Sequence, residues 1–134
     1  MDLNTTKNYY FTRSEMLNKK HEELVTTTFS IRDIFDRKRI SEYRGLIRQY
    51  YMWLHEYDTV LSENLSLSGE NYELQPRAVK AEMTLIARSV YVSSIESYEK
   101  ELSNIESSMN FRLTTIIALF ALVLSVMSIA SSLT

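Results

Sequence analysis

One stretch constrains the fold of this chain more than any other: from Leu113 to Thr134 there is no charged residue, no proline and no glycine. Wound as a helix, these roughly 22 residues span about 33 Å, enough to cross a bilayer core about 30 Å thick. The alternative is the core helix of a soluble protein, but such helices usually carry a polar stripe. The sequence therefore predicts a transmembrane helix over 113–134, and because this run reaches Thr134 we expect a tail-anchored, single-pass protein.

Composition narrows the remaining functions. The chain has 134 residues, 15 Lys and Arg against 17 Asp and Glu, and no cysteine. Without cysteine there are no disulfides, thiolate metal ligands or cysteine nucleophiles. The balanced charge gives no electrostatic reason to expect a nucleic-acid partner. No glycine-rich phosphate loop and no metal-ligand spacing is present, so we expect no cofactor and no metal site.

The spacing of apolar residues predicts an all-α fold. A flexible N-terminus over 1–12 precedes a cytosolic helical bundle over 13–112, and the clear break lies between Gly69 and Pro76. We expect three antiparallel helices over 13–39, 41–65 and 77–112, with a kink or turn near Ile40 to Gly45. The alternative is one long helix over the first two segments, which would pack on the third as a simple hairpin.

The third helix is predicted to continue into the membrane as one coiled-coil-like rod over 77–133. Its apolar residues follow steps of three and four, which keeps one helix face apolar. This seam comprises Val79, Met83, Ile86 and Val90, shifts by one to Tyr91, Ile95, Tyr98, Leu102, Ile105 and Met109, and continues through Leu113, Ile116, Phe120, Val123 and Met127.

Basic residues are predicted to lie at the membrane surface. If the third helix descends to the membrane, the second ascends and the first descends, so the turn between the first two lies near the lipid. That region contains Arg37, Lys38, Arg39 and Arg44, and Arg112 precedes the apolar run. Basic side chains favour the anionic cytoplasmic leaflet, so we expect a cytoplasmic N-terminus. The alternative is an ordinary solvated helix face.

Small and hydroxyl residues line one face of the predicted membrane helix. They follow alternating steps of four and three: Thr114, Ala118, Ala121, Ser125, Ser128 and Ser132. In lipid, small faces let helices approach closely and hydroxyls bond across the contact, which favours a homo-oligomer. Two alternatives stay open: the face lines a narrow pore, or its hydroxyls bond to their own helix.

Two residues suggest a catalytic alternative. Arg48 and His55 are seven residues apart and share a helix face. The pair resembles the Arg-x4-6-His motif of HEPN ribonucleases, which implies acid–base work on RNA. The alternative is that both are ordinary side chains of the bundle with no catalytic role. His21 is predicted to be a packing residue.

Aromatic residues concentrate in the second helix, at Tyr43, Tyr50, Tyr51, Trp53 and Tyr57. Tyrosine and tryptophan combine an apolar body with a polar tip, which suits half-buried positions. Core packing is the favoured role, and a docking surface for a cytosolic protein is the alternative.

Residues 99–130, and above all the segment Asn110-Phe111-Arg112-Leu113-Thr114-Thr115-Ile116-Ile117-Ala118, resemble the junction between stalk and membrane helix in CorA-type magnesium channels. The resemblance implies a long cytosolic helix that enters an oligomer's membrane bundle. The chain has no Gly-Met-Asn signature, so magnesium transport is not implied.

These observations favour a non-enzymatic, self-associating membrane protein, with membrane lipid and its own copies as partners. The leading hypothesis is a pore-forming or membrane-disrupting effector of a bacterial toxin or phage-defence system. A membrane-tethered adaptor and a membrane-anchored HEPN-like ribonuclease are the alternatives.

Overall fold

The computed structural model describes residues 2–66 and 74–133, and this part of the chain is helical without strands. Four helices follow one another: α1 (Leu3–Thr26), α2 (Ile31–Phe35), α3 (Lys38–Ser66) and α4 (Leu74–Ser132). The predicted all-α bundle with a long C-terminal helix is confirmed. The predicted break at Gly69 lies outside the described residues, and Pro76 lies in the first turn of α4, where its missing N–H costs no hydrogen bond.

The first helix begins ten residues before the predicted start at residue 13, so residues 3–12 are helical and not a flexible N-terminus. Asp2 caps this helix, since its carboxylate accepts a hydrogen bond from the Thr5 N–H at 2.7 Å. Leu3, Tyr10, Leu17 and Leu24 are buried at intervals of seven residues. The sequence analysis did not identify this stripe, because other apolar residues such as Tyr9, Phe11 and Met16 lie between its members and are exposed.

The break after the first helix also differs from the prediction. α1 ends at Thr26, α2 is a separate single turn, and α3 begins at Lys38, so there is no turn near Ile40 to Gly45. Thr26 and Thr27 donate side-chain hydrogen bonds to carbonyl oxygens of the preceding turn, and Thr27 has an extended backbone. These local bonds compete with further helix and end α1. The hairpin alternative, with one long helix over both segments, is wrong.

Contacts between the long helices establish their directions. The hydroxyls of Ser14 and Ser94 lie 2.7 Å apart, and the Thr84 hydroxyl lies 3.2 Å from the Leu3 carbonyl oxygen, so α1 runs parallel to α4. α3 runs antiparallel to both, as its later residues meet the start of α4. The predicted order of descending, ascending and descending helices is present.

A polar clamp joins the three long helices. Asp58 of α3 accepts two hydrogen bonds from the Arg88 guanidinium of α4, each at 2.7 Å, and one from the Tyr10 hydroxyl of α1, also at 2.7 Å. Bidentate pairs of this kind fix geometry as well as adding energy. Burial, with the bond to Asp58, raises the pKa of Tyr10 above its usual range.

The core lies along the middle of α4, where Tyr91, Ile95, Tyr98, Leu102 and Met109 of the predicted seam are buried. The first part of that seam was predicted wrongly. Val79, Met83, Ile86 and Val90, here called the upper stripe, are exposed, because Thr84 and Ala87 face the bundle instead. Small residues at these two positions let α1 pack closely against α4.

Candidate functional site at the junction of the bundle and the apolar helix

The C-terminal part of α4 leaves the bundle as a bare apolar helix. Its most apolar 18-residue window has a mean hydropathy of 2.5, and none of that window is buried. A core helix of a soluble protein would be covered by the rest of its own fold. This helix therefore has the length, composition and exposure of a membrane span, as the sequence predicted.

The small face of that helix carries hydroxyls in two different situations. Thr114 and Ser132 donate to carbonyl oxygens of their own helix, at Asn110 and Ile129, with distances of 3.0 and 2.8 Å. Ser125 and Ser128 donate to no described atom. Ala118 and Ala121 lie between them and are exposed. Two hydroxyls near the middle of the apolar run are thus free to bond to another chain.

The basic turn is brought to the start of the apolar helix. The Arg37 guanidinium donates to the carbonyl oxygen of Ile34 at 3.0 Å and to Oδ1 of Asn110 at 2.8 Å. Asn110 lies three residues before Leu113, or about 4.5 Å along a helix. Lys38 and Arg112 are exposed, and neither forms an ion pair within the described chain.

Two other predicted basic residues are held by carboxylates. Nε and Nη2 of Arg44 donate to the two carboxylate oxygens of Glu106, and this pairing raises the pKa of Arg44. Arg39 lies 3.2 Å from Oδ2 of Asp33, and its guanidinium lies 5.0 Å from the ring centre of Phe29. These two residues position the turn, while Lys38 and Arg112 keep their charge available.

The predicted catalytic pair is exposed on α3. The side chains of Arg48 and His55 form no hydrogen bond with another described residue. His21 lies partly buried beside Tyr98, with ring centres 6.4 Å apart. Within residues 2–66 and 74–133, no three His, Asp or Glu side chains form a group able to hold a metal ion.

The aromatic residues of α3 mostly face inward. Tyr50 and Tyr57 are buried, and Tyr43 and Trp53 are partly buried. Arg13 covers the Trp53 ring at 3.6 Å from its centre. Tyr51 is half-exposed, and its hydroxyl donates to Glu99 at 2.6 Å, a bond that, with burial, raises the pKa of Tyr51 to about 12. Little of this aromatic set is left for a docking surface.

Sequence reasoning missed two exposed apolar groups. One is the upper stripe of α4. The other is the outer side of α2, where Ile31 and Phe35 point away from the bundle. The four-residue spacing of Ile31 and Phe35 is visible in the sequence, where both lie within the predicted first helix over 13–39.

No protein-family model, no curated protein and no solved structure shows significant similarity to this chain.

Proposed function

We propose that the chain is a single-pass membrane protein that assembles into a homo-oligomer through the small face of α4 and permeabilises the membrane as a pore-forming effector. The observation that carries the proposal is the pair Ser125 and Ser128, whose hydroxyls find no partner in the described chain. An unpaired polar group is costly in hydrocarbon, so these hydroxyls favour a partner helix or a file of water.

The upper stripe supports the same assembly. The upper stripe continues along α4 to the small face. Alternating steps of three and four residues from Val90 reach Thr114, the first residue of the small face. The positions between them are Ser93, Ser97, Lys100, Asn104, Ser107 and Phe111. All of these positions are exposed. A repeat of 3.5 residues stays on one side of a helix in a left-handed supercoil. Copies anchored in one membrane with one orientation are parallel. The upper stripe and small face of one copy can therefore contact the same residues of the next copy.

The proposed orientation places the bundle in the cytoplasm. It rests on Arg37, Lys38 and Arg112 at the start of the apolar helix and on the absence of charge from Leu113 to Thr134. The proposal assigns no catalytic role to Arg48 and His55, and membrane lipid and other copies of the chain are the partners it requires.

Disulfide cross-linking of the full chain in lipid vesicles tests the assembly. The chain has no native cysteine, so single-cysteine variants report one position each. We expect Ser125→Cys and Met83→Cys to form dimers on mild oxidation, since facing Cβ atoms approach to about 4 Å. The controls are Val123→Cys on the opposite face and Leu85→Cys, because Leu85 and Met83 are both 47 % exposed. Equal cross-linking of test and control positions would contradict assembly through the upper stripe and the small face.

Dye release from vesicles, together with membrane potential in cells that express the chain, tests permeabilisation. We expect release and depolarisation that Ser125→Leu reduces and Val123→Leu leaves unchanged, because a bulky residue on the small face separates the helices. His55→Ala should have no effect on either measurement. Intact vesicles and potential, with a cytosolic protein that binds α3, would favour the adaptor. RNA cleavage that is lost in His55→Ala would favour the ribonuclease, since loss of an acid–base group costs about 100-fold in rate or more.

A further inference from the structure

We propose that α2 lies on the membrane surface, with Ile31 and Phe35 inserted among the lipid headgroups as a second membrane contact. This inference rests on the membrane anchoring of the proposed function and is independent of pore formation. Among the described residues outside α4, Ile31 and Phe35 are the two most exposed large apolar side chains, at 70 % and 62 %. They are four residues apart and therefore share one face of this single turn.

The position of α2 determines what covers this face. Ile34, between the two exposed residues, is buried in the core, so the opposite side of the turn points outward. Arg37 ties the end of α2 to Asn110 through its bonds to the Ile34 carbonyl and the Asn110 side chain. Because the apolar run of α4 begins at Leu113, the layer beside α2 is the headgroup region of the bilayer.

The chemistry around this face suits a phospholipid surface. Arg32, Lys38 and Arg112 are exposed and form no ion pair within the described chain, so they are available to lipid phosphates. Phe111, at 74 % exposure, lies one residue after Asn110 and adds an aromatic ring at the same level. Apolar side chains flanked by basic ones are typical of segments that lie in the membrane interface.

The nearby carboxylates offset only part of this charge. Asp33 is turned inward, where its Oδ2 accepts hydrogen bonds from the N–H and hydroxyl of Ser30 and from Arg39. Oδ1 of Asp36 accepts from the Lys38 backbone N–H at 3.2 Å. Asp33 is therefore paired with Arg39. The exposed Asp36 offsets one positive charge, while Arg32, Lys38 and Arg112 together carry three.

Site-specific fluorescence in vesicles tests this contact. We would label Ile31→Cys, Phe35→Cys and Met52→Cys with a polarity-sensitive fluorophore in the full chain, and measure its depth with lipid-attached quenchers. Met52 is the matched control, because it is 60 % exposed but lies in the middle of α3. We expect labels at 31 and 35 to lie about 5 to 10 Å into the headgroup and acyl boundary, and the label at 52 to report water.

Two further measurements separate the possible outcomes. A label at Val123→Cys reports whether α4 is in the bilayer. If that label is lipid-buried while those at 31 and 35 report water, the α2 contact is wrong and the anchor stands. If all labels report water, both the α2 contact and the α4 anchor are wrong. Vesicles with phosphatidylglycerol should place the α2 labels deeper than pure phosphatidylcholine does. Lys38→Gln with Arg32→Gln should reduce that difference, since Arg112 remains. Burial of the 31 and 35 labels in detergent-free oligomers without quenching by lipid would assign the face to a protein neighbour and overturn the proposal.

Discussion

At the scale of single residues, two fully buried tyrosines of α4 have opposite hydrogen-bonding states. The Tyr91 hydroxyl donates to the Tyr50 carbonyl oxygen at 2.7 Å, whereas the Tyr98 hydroxyl has no partner in the described chain. Burial raises the pKa of both phenols above their usual range, so both stay neutral at physiological pH. The hydrogen bond of Tyr91 is therefore the feature that should make the two hydroxyls contribute differently to the free energy of unfolding.

This difference predicts opposite outcomes for two matched substitutions. Tyr91→Phe should lower the free energy of unfolding by about 1 kcal/mol, because it removes a made hydrogen bond. Tyr98→Phe should leave that free energy unchanged or raise it, because it removes a buried hydroxyl that bonds to nothing described. Urea unfolding of the full chain in detergent micelles measures both. Similar losses for the two variants would contradict this account.

Gly45 provides the second residue-scale prediction. It lies inside α3, and an added Cβ would meet no heavy atom within 4 Å. Glycine in a helix interior costs about 0.5 to 1 kcal/mol relative to alanine. Gly45→Ala should therefore raise the free energy of unfolding by about that amount, measured by the same unfolding experiment. A loss of stability would show that the glycine is needed for a close contact.

At the scale of elements, α2 depends on a single carboxylate. The Ser30 backbone N–H, which donates to Asp33 at 2.7 Å, is the main reason that the pKa of Asp33 lies below its ordinary value of 3.8. Partial burial opposes this shift, and the Ser30 hydroxyl and Arg39 add to it. A depressed pKa means that the ionised carboxylate is favoured in the folded state.

The stability of α2 should therefore depend on pH. Above pH 3.8 the charged Asp33 stabilises the turn, and this contribution is lost as the pH falls through the lowered pKa of the folded state. We expect hydrogen-exchange protection factors of the amides in 31–35 to drop in acid. Asp33→Asn should abolish that drop, since it removes the titrating group. An unchanged pH dependence in this variant would assign the effect to another carboxylate.

At the scale of the whole molecule, one end of the bundle carries the features that we propose face the membrane. α1 ends there, α2 and the Lys38 end of α3 lie there, and α4 leaves the bundle beside them. The proposed orientation predicts that a fluorescent protein fused to the N-terminus is fluorescent in the cytoplasm and that alkaline phosphatase fused after Thr134 is active across the membrane. A cytoplasmic C-terminus would contradict the single-pass proposal.

The charges proposed to set this orientation provide a second prediction. Replacing Arg37, Lys38 and Arg112 together by glutamine should yield a mixed population of orientations in the fusion assay, because basic residues near the start of a span hold that end in the cytoplasm. The control is Arg48→Gln, about three helical turns farther along α3 than Lys38. Equal effects would show that total charge, not position, decides the orientation.

The sequence by itself determined the helical class, the apolar C-terminal helix and its continuity with the preceding bundle helix, because these depend on local composition and on periodicity over many turns. It also indicated the direction of the three long helices and hence the position of Arg37 near the apolar run. Only the tertiary structure decided which side of each helix is covered. Val79 and Ile86 have core-like spacing, yet Thr84 and Ala87 face α1, since close packing of two parallel helices favours small residues at the contact. The length of α1 was likewise decided by its contact with α4. In the sequence Leu3 is flanked by polar residues and Tyr10 by Tyr9 and Phe11, so no single apolar face is evident there. Leu3 and Tyr10 form one buried stripe only when α4 lies beside them.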